Sequence, residues 1–201
     1  MHNQGKPAKS TKPASGKVLI GGLSEFKPNP YESTKFAGDA ISPAVRRLIN
    51  SVHKDGKNVV LLARRNTVPW FVSFQSTGRN RDLDRFKESI CKDLPREIAD
   101  KASISTIHKY KGLEKDVVII LDAIQRSYPL IHPDWIFTRV LGDHPEKIVD
   151  EERRLFYVAL TRAVDTLIVI TEKGSESLFL NEMTQPTLRK FTAHFGVDPK
   201  C

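Results

Sequence analysis

The feature that most constrains this chain is residues 150–170, DEERRLFYVALTRAVDTLIVI, where a helical pattern passes directly into a strand pattern. The first half repeats apolar residues at the spacing of one helix face, namely Leu155, Phe156, Ala159 and Leu160. The second half, residues 167–170, is a continuous apolar run rich in β-branched side chains, which is typical of a strand covered on both faces. The stretch therefore predicts a helix over 147–163 followed by a buried strand over 164–171.

Charged residues stand at both ends of this predicted helix. The acidic run Asp150, Glu151 and Glu152 is expected at its start, where negative charge favours the positive end of the helix dipole. Arg162 is expected at its end, close to the edge of a parallel sheet. Because α/β proteins bind ligands at such an edge, Arg162 is a candidate functional residue.

The same alternation of strand and helix patterns continues through most of the chain. Strands are predicted at 17–23, 58–63, 102–107 and 117–121, and helices at 42–56, at 69–78 and at 82–91. Strands that alternate with helices favour a mostly parallel α/β sheet flanked by helices.

Composition shifts divide the chain into three parts. Residues 1–16 contain Lys, Pro, Ser and Gly without an acid or an apolar cluster, and they predict a flexible basic arm. Residues 17–173 form the predicted domain, in which the Pro- and Gly-containing stretch 122–146 is expected to be an irregular insertion with a short helix at 133–140. Residues 174–201 predict a helical tail.

Charge and composition narrow the class of protein. The 201 residues carry a formal net charge of +8 and give a pI of about 9.5, which favours a polyanionic partner such as nucleic acid. No apolar run approaches the ~20 residues of a membrane span, and the N-terminus lacks the apolar core of a secretory signal. With two cysteines and no disulfide framework, a cytoplasmic location is expected.

Two segments resemble motifs of the UvrD/Rep-type superfamily 1 helicases. Residues 151–163, EERRLFYVALTRA, match motif VI (EERRLxYVxxTRA) at ten positions of an unbroken thirteen-residue run. Residues 105–121, STIHKYKGLEKDVVIIL, resemble motif V and precede motif VI, as they do in that family. The resemblance implies the second, C-terminal RecA-like domain of such a helicase, which is a P-loop NTPase-like fold without its own P-loop.

The resemblance also implies roles at a nucleotide site. Arg162 would be the arginine finger, whose planar, permanently charged fork suits the γ-phosphate. Glu114, in the sequence KGLE, would contact the nucleotide near its ribose or triphosphate, and Gly112 would permit a tight turn or a close backbone approach. The structural alternatives are an Arg162 that caps helix carbonyls and a Glu114 that is simply exposed.

A second set of residues is implied to contact single-stranded DNA. Thr106, His108 and Lys109 follow a predicted strand and carry groups that donate hydrogen bonds to phosphates. Arg64 and Asn66 match the R-x-N of the family segment LYRxN. Trp70 and Phe71 could stack on bases, but a role in anchoring a short helix to the core is favoured.

Several parts of a complete ATPase site are missing from the sequence. It contains no GxxxxGK[ST], and neither Asp122 nor the pair Asp150-Glu151 is read as a magnesium ligand. In this family ATP and Mg²⁺ are bound mainly by the N-terminal RecA-like domain, which is therefore the expected partner. A metal site in this chain is not predicted, because the spacing of His132, Asp134, Asp143 and His144 fits no zinc pattern.

Two functions remain open at this point. The first is the second motor domain of an ATP-dependent single-stranded-DNA translocase or helicase, inactive as an isolated chain. The alternative is a stand-alone, degenerate RecA-like module that binds nucleic acid or protein without ATPase activity. Motors with these motifs serve DNA repair, replication restart and phage defence, so an accessory protein of a repair or phage-defence system is a further expected partner.

Overall fold

The computed structural model describes residues 17–22, 45, 48–50, 56–67, 83–132, 144–171, 174–182 and 192–194. The strands are β1 (Lys17–Gly22), β2 (Val59–Ala63), β3 (Ala102–Thr106), β4 (Lys115–Ile120), β5 (Ala163–Thr171) and β6 (Thr192–His194). The helices are α1 (Leu83–Asp93), α2 (Arg96–Ala99), α3 (Pro145–Leu160) and α4 (Leu178–Glu182), and Val45 and residues 48–50 are also helical.

The described strands form one sheet in the order β3-β2-β4-β5-β1-β6, and every neighbouring pair is parallel. All strands therefore start at one edge, here called the amino edge, and finish at the other, the carboxyl edge. The sheet confirms the predicted α/β fold class with a parallel sheet.

Two apolar clusters cover the two faces of the sheet. In β2 the side chains alternate between them, with Val59, Leu61 and Ala63 in the first cluster and Val60 and Leu62 in the second. A strand covered on both faces needs no polar positions, which is why β2 and the end of β4 read as continuous apolar runs.

Helices cover each of the two faces. The first cluster receives residues of the helical segment near residue 48, of α1 and of α2, namely Val45, Leu48, Ile49, Leu83, Phe86 and Ile98. The second receives residues of α3, α4 and the connection from β3 to β4, namely Leu155, Phe156, Ala159, Phe179, Leu180, Ile107 and Tyr110. Each helix thus contributes one apolar face, which agrees with the helical spacing in the sequence.

The helix predicted over 147–163 differs from α3 at both ends. It begins at Pro145, because proline suits the first helical position, so the acids at 150–152 lie in its second turn and not at its start. It ends at Leu160, and β5 already begins at Ala163. Arg162 therefore lies in the turn between helix and strand.

The bounds of β1 to β5 and of α1 agree with the predictions to within two residues, and two elements are additional. Of the helix predicted over 42–56, the structure describes residues 45, 48–50 and 56. The short helix α2 and the strand β6 have no counterpart among the predicted elements; β6 pairs with β1, so the region expected to be a helical tail contains a helix and a strand. The predicted arm (1–16) and the predicted helices at 69–78 and 133–140 lie outside the described residues.

The helices that the structure describes include none with the length and apolar character needed to cross a membrane.

Candidate functional site

The two residues assigned to the nucleotide by resemblance lie together at the amino edge of the sheet. Glu114 directly precedes β4, and Arg162 directly precedes β5. The neighbouring strands β4 and β5 are tied together there, since the backbone N–H of Lys115 donates to the carbonyl of Arg162 at 3.1 Å. The expectation that Arg162 lies at the ligand-binding edge typical of α/β proteins is wrong, because that rule concerns the carboxyl ends of the strands.

The Arg162 side chain is partly buried and hydrogen-bonded to its own helix end. Its Nε donates to the carbonyl of Val158 at 2.9 Å, and one terminal nitrogen donates to Thr161 Oγ1 at 3.1 Å. The first contact satisfies a helix carbonyl that has no partner within the helix, which is the capping role considered above. Both partners are local and polar, so a phosphate could replace them without unpacking the core.

Gly112 lies in the connection from β3 to β4, which crosses the sheet from the carboxyl edge to the amino edge. Its φ is +83°, and a built Cβ would meet no atom within 4 Å. The glycine is thus required by the left-handed backbone of a tight turn, one of the two predicted reasons, and not by a close approach of protein atoms. Tyr110, two residues earlier, is buried and anchors the connection on the second apolar cluster.

The residues assigned to DNA by resemblance lie at the opposite, carboxyl edge. Thr106 ends β3, and His108 and Lys109 follow it as exposed residues; Arg64 and Asn66 follow β2, which is paired with β3. Burial lowers the pKa of His108, and the positive charges of Arg64 and Lys111 lower it further. A neutral imidazole at pH 7 can donate a hydrogen bond to a phosphate but adds no charge.

Arg64 differs from the other members of this set because its guanidinium is already paired. Its Nε donates to Glu152 Oε2 at 2.8 Å, and a terminal nitrogen donates to Glu152 Oε1. The two side chains are 12% and 11% exposed, respectively. The hydrogen bond that Arg64 donates to Glu152 raises the pKa of Arg64, so its guanidinium stays charged at neutral pH.

A buried carboxyl group, that of Asp122, is hydrogen-bonded to the backbone of Arg64. Asp122, which follows β4, accepts from the backbone N–H of Arg64 at 3.1 Å and is 2% exposed. Burial raises the pKa of Asp122 to about 6, although the hydrogen bonds from Arg64 and Ser127 act in the opposite direction. The Tyr128 hydroxyl is also buried here and has no hydrogen-bond partner among the described residues.

Glu152 and Asp122 are residues whose contacts at the carboxyl edge sequence reasoning missed. A signal for Glu152 exists, because it shares the helical spacing of Leu155, Phe156 and Ala159 and so points a charge toward the apolar face. A charge in that position requires a buried partner. Arg153, the residue after Glu152, shows the exposed counterpart, since it binds both Asp150 and Glu182.

The described residues contain no group of three or more His, Cys, Asp or Glu side chains arranged to hold a metal ion. Asp134 and Asp143, two of the four residues weighed as metal ligands, lie outside the described ranges.

Comparisons with known proteins agree with the sequence motifs. Residues 71–174 match the family of UvrD-like helicase C-terminal domains. A "Probable DNA helicase" of Mycoplasma pneumoniae is 33% identical over 106 residues, which are 53% of this chain and 18% of that protein. The ATP-dependent DNA helicase PcrA of Leuconostoc citreum is 29% identical over 132 residues, or 61% of this chain and 15% of the relative.

This chain spans less than a fifth of the length of either relative. The crystal structure of the C-terminal domain of a possible DNA helicase from Lactobacillus plantarum WCFS1 aligns with 90% of this chain and 84% of its own, at 13% identity and a TM-score of 0.48. The family match covers more than half of the chain and includes β3, β4, α3 and β5 with both motifs. The chain therefore belongs to the family of UvrD-like helicase C-terminal domains.

Proposed function

We propose that this chain is the second motor domain of an ATP-dependent translocase or helicase that moves along single-stranded DNA. The observation that carries the proposal is the separation of the two motif sets onto opposite edges of one sheet. Arg162 and Glu114 precede the adjacent strands β5 and β4, whereas His108, Lys109 and Asn66 follow β3 and β2. A motor needs such separated contacts, because ATP hydrolysis at one surface must change the grip on DNA at another.

At the amino edge, Arg162 would act as the arginine finger of a composite ATP site. Among the described residues its guanidinium is held by Val158 and Thr161 of its own helix end, and a typical hydrogen bond contributes about 1 kcal/mol net. Charge developing on a γ-phosphate would offset that loss, since arginine fingers accelerate phosphoryl transfer by about 10³–10⁵. Glu114 would orient the nucleotide beside it.

Binding of a second domain at this edge is supported by exposed apolar side chains next to the same residues. Leu113 precedes Glu114 and is 55% exposed, and Val164, 48% exposed, follows Arg162 by two positions. Exposed apolar groups beside functional polar ones favour a covered interface. A RecA-like domain with its own P-loop is the occupant proposed here.

ATP with its magnesium ion would supply the reaction's leaving group and phosphate. The residues of this chain fit one side of such a site, because they offer a guanidinium and a carboxylate but neither a P-loop sequence nor, in the described ranges, a set of metal ligands. The magnesium ligands are therefore assigned to the partner domain.

At the carboxyl edge, Thr106, His108, Lys109 and Asn66 would bind the phosphates of single-stranded DNA. Backbone contacts of this kind fix position without reading sequence, and the net charge of +8 strengthens them. Arg64 belongs to the same edge, but its guanidinium is paired with Glu152.

The test is the DNA-stimulated ATPase of the gene's complete product, or of this chain combined with its P-loop domain. Arg162→Ala should lower turnover by about a hundredfold or more while nucleotide binding is retained, because the finger acts mainly on the transition state. Arg154→Ala is the matched control, since Arg154 is an exposed arginine of α3, the helix that precedes Arg162. This chain alone should hydrolyse no ATP.

Unchanged turnover in Arg162→Ala would contradict the proposed role of Arg162. Absence of ATPase activity even with the P-loop domain present would instead favour the degenerate binding module. Rapid hydrolysis by this chain alone would contradict the assignment of the P-loop and magnesium ligands to a partner.

A further inference from the structure

The ion pair between Arg64 and Glu152 joins distant parts of the fold. Arg64 follows β2 and its backbone N–H binds Asp122 after β4, while its guanidinium binds Glu152 in α3, 88 positions along the chain. Glu152 also accepts from the backbone N–H of Leu130 at 3.3 Å. The segment after β2, the segment after β4 and helix α3 therefore meet around this pair at the carboxyl edge.

Helix α3 extends from this pair to the amino edge. Glu152 lies eight residues before Leu160, the last residue of α3, which corresponds to about 12 Å along the helix axis. Two residues further on, the carbonyl of Arg162 is bound by Lys115 at the start of β4. Leu155, Phe156 and Ala159 pack this part of α3 onto the sheet, so it can transmit a displacement as one body.

The pairing also limits what Arg64 itself can contact. Two guanidinium nitrogens point at Glu152, and only 12% of the side chain is exposed. The next residues along the same edge, Arg65 and Asn66, are exposed. A phosphate approaching this edge would therefore meet the neighbours of Arg64 before its guanidinium.

We propose that Arg64 and Glu152 are a positioning pair that couples DNA contacts at the carboxyl edge to Arg162 at the amino edge. Arg64 is thus not a DNA ligand in this protein, although its motif position suggests one. DNA held by Asn66 and His108 shifts the segment after β2, the pair passes the shift to α3, and α3 sets the position of Arg162. The inference rests on the proposed motor function and names a route for it within this domain.

An ion pair suits this task better than apolar packing would. Replacing a buried pair by apolar residues often preserves stability, so stability alone gives no reason for charges here. The bidentate geometry instead fixes both the distance and the orientation of the two groups. A shift of Arg64 must then be followed by Glu152 or break the pair.

The experiment compares four forms of the gene's complete product: wild type, Glu152→Gln, the double variant Arg64→Gln/Glu152→Gln, and Glu182→Gln. Glu152→Gln removes one charge of the pair. The double variant removes both charges and so leaves no lone buried ion. Glu182→Gln is the matched control, because Glu182 is paired with Arg153 on the same helix but at an exposed position. Thermal melting checks that each form is folded at the assay temperature.

Three quantities are measured for each form: ATP turnover without DNA, turnover at saturating oligo-dT, and the salt dependence of oligo-dT binding by fluorescence anisotropy. In Glu152→Gln we expect the stimulation by DNA to fall about tenfold, within the usual range of coupling between sites, while DNA-free turnover is retained. In the double variant stimulation falls equally and the salt slope of binding stays at the wild-type value. Glu182→Gln behaves as wild type.

Wild-type stimulation by DNA in both Glu152→Gln and the double variant would overturn the inference. The pair would then have a structural role only. A salt slope lowered by about one in the double variant would also overturn the inference, because that is the signature of a lost phosphate contact. Both results leave a stimulated wild type and the motor function intact. A wild type without DNA-stimulated turnover would remove the proposed function and the coupling together.

Discussion

At the carboxyl edge of the sheet, Arg64 is bound by a carboxylate from another element, whereas at the amino edge the partners of Arg162 in the described part of the chain belong to its own helix end. The first arginine is nearly enclosed and lies beside Asp122 and Glu152. Arg162 is the last residue of the turn before β5, and the nearby side chains of Leu113 and Val164 are exposed. The comparison teaches that an arginine in a family motif can be bound to a carboxylate of a distant element or to its own helix end, so motif position alone does not reveal what its side chain contacts.

The largest expected difference between the edges is in stability. Glu152→Ala leaves Arg64 as an uncompensated buried charge, and breaking such a pair typically lowers the free energy of unfolding by about 3–5 kcal/mol. Glu182→Ala breaks an exposed pair between Arg153 of the same helix and Glu182 of α4, and it should cost much less. Urea unfolding of the two variants measures both values, and similar costs would contradict the distinction between buried and exposed pairs.

A second difference should appear as pH dependence at the carboxyl edge. Because burial raises the pKa of Asp122 to about 6, the folded state holds this proton at pH values where the unfolded chain has lost it. The contribution of the protonated Asp122 to the free energy of unfolding is thus fully present below about pH 4. It is lost as the pH rises through about 6. With about 1.4 kcal/mol per tenfold change in proton affinity, the loss is about 3 kcal/mol.

The matched comparison for this effect is Asp122→Asn, which cannot titrate. The free energy of unfolding of wild type minus that of Asp122→Asn should fall between pH 4 and pH 7 and stay level above that. A difference that is flat or rises over this range would show that the carboxyl group is ionised in the folded state at acidic pH.

The smallest expected effect is that of Arg162→Ala on stability. Within the described residues the side chain makes two local hydrogen bonds, and its removal leaves no buried charge, so the free energy of unfolding should fall by about 1 kcal/mol or less. Chemical unfolding of this chain measures it. A cost as large as that of Glu152→Ala would mean that Arg162 is also committed to the fold.

Local sequence patterns predicted most of the secondary structure because burial repeats within a few residues. The runs at 58–63 and 117–121 correspond to β2 and β4, and the helical spacing of Leu155, Phe156 and Ala159 corresponds to the buried face of α3. The end of α3 was harder to predict, since the residues after Leu160 have no local breaker and the start of β5 is set by pairing with β4.

Sequence by itself determined the alternation of strands and helices, the apolar faces, and the two motifs by which the family is recognised. Only the tertiary structure decided that Arg162 and Glu114 share the amino edge and that Arg64 is paired with Glu152. The physical reason is range: propensity and periodicity act over a few neighbouring residues, whereas the strand order and the Arg64–Glu152 pair join residues tens of positions apart. A charged residue on a buried face requires a partner, but the identity of that partner follows only from the tertiary structure.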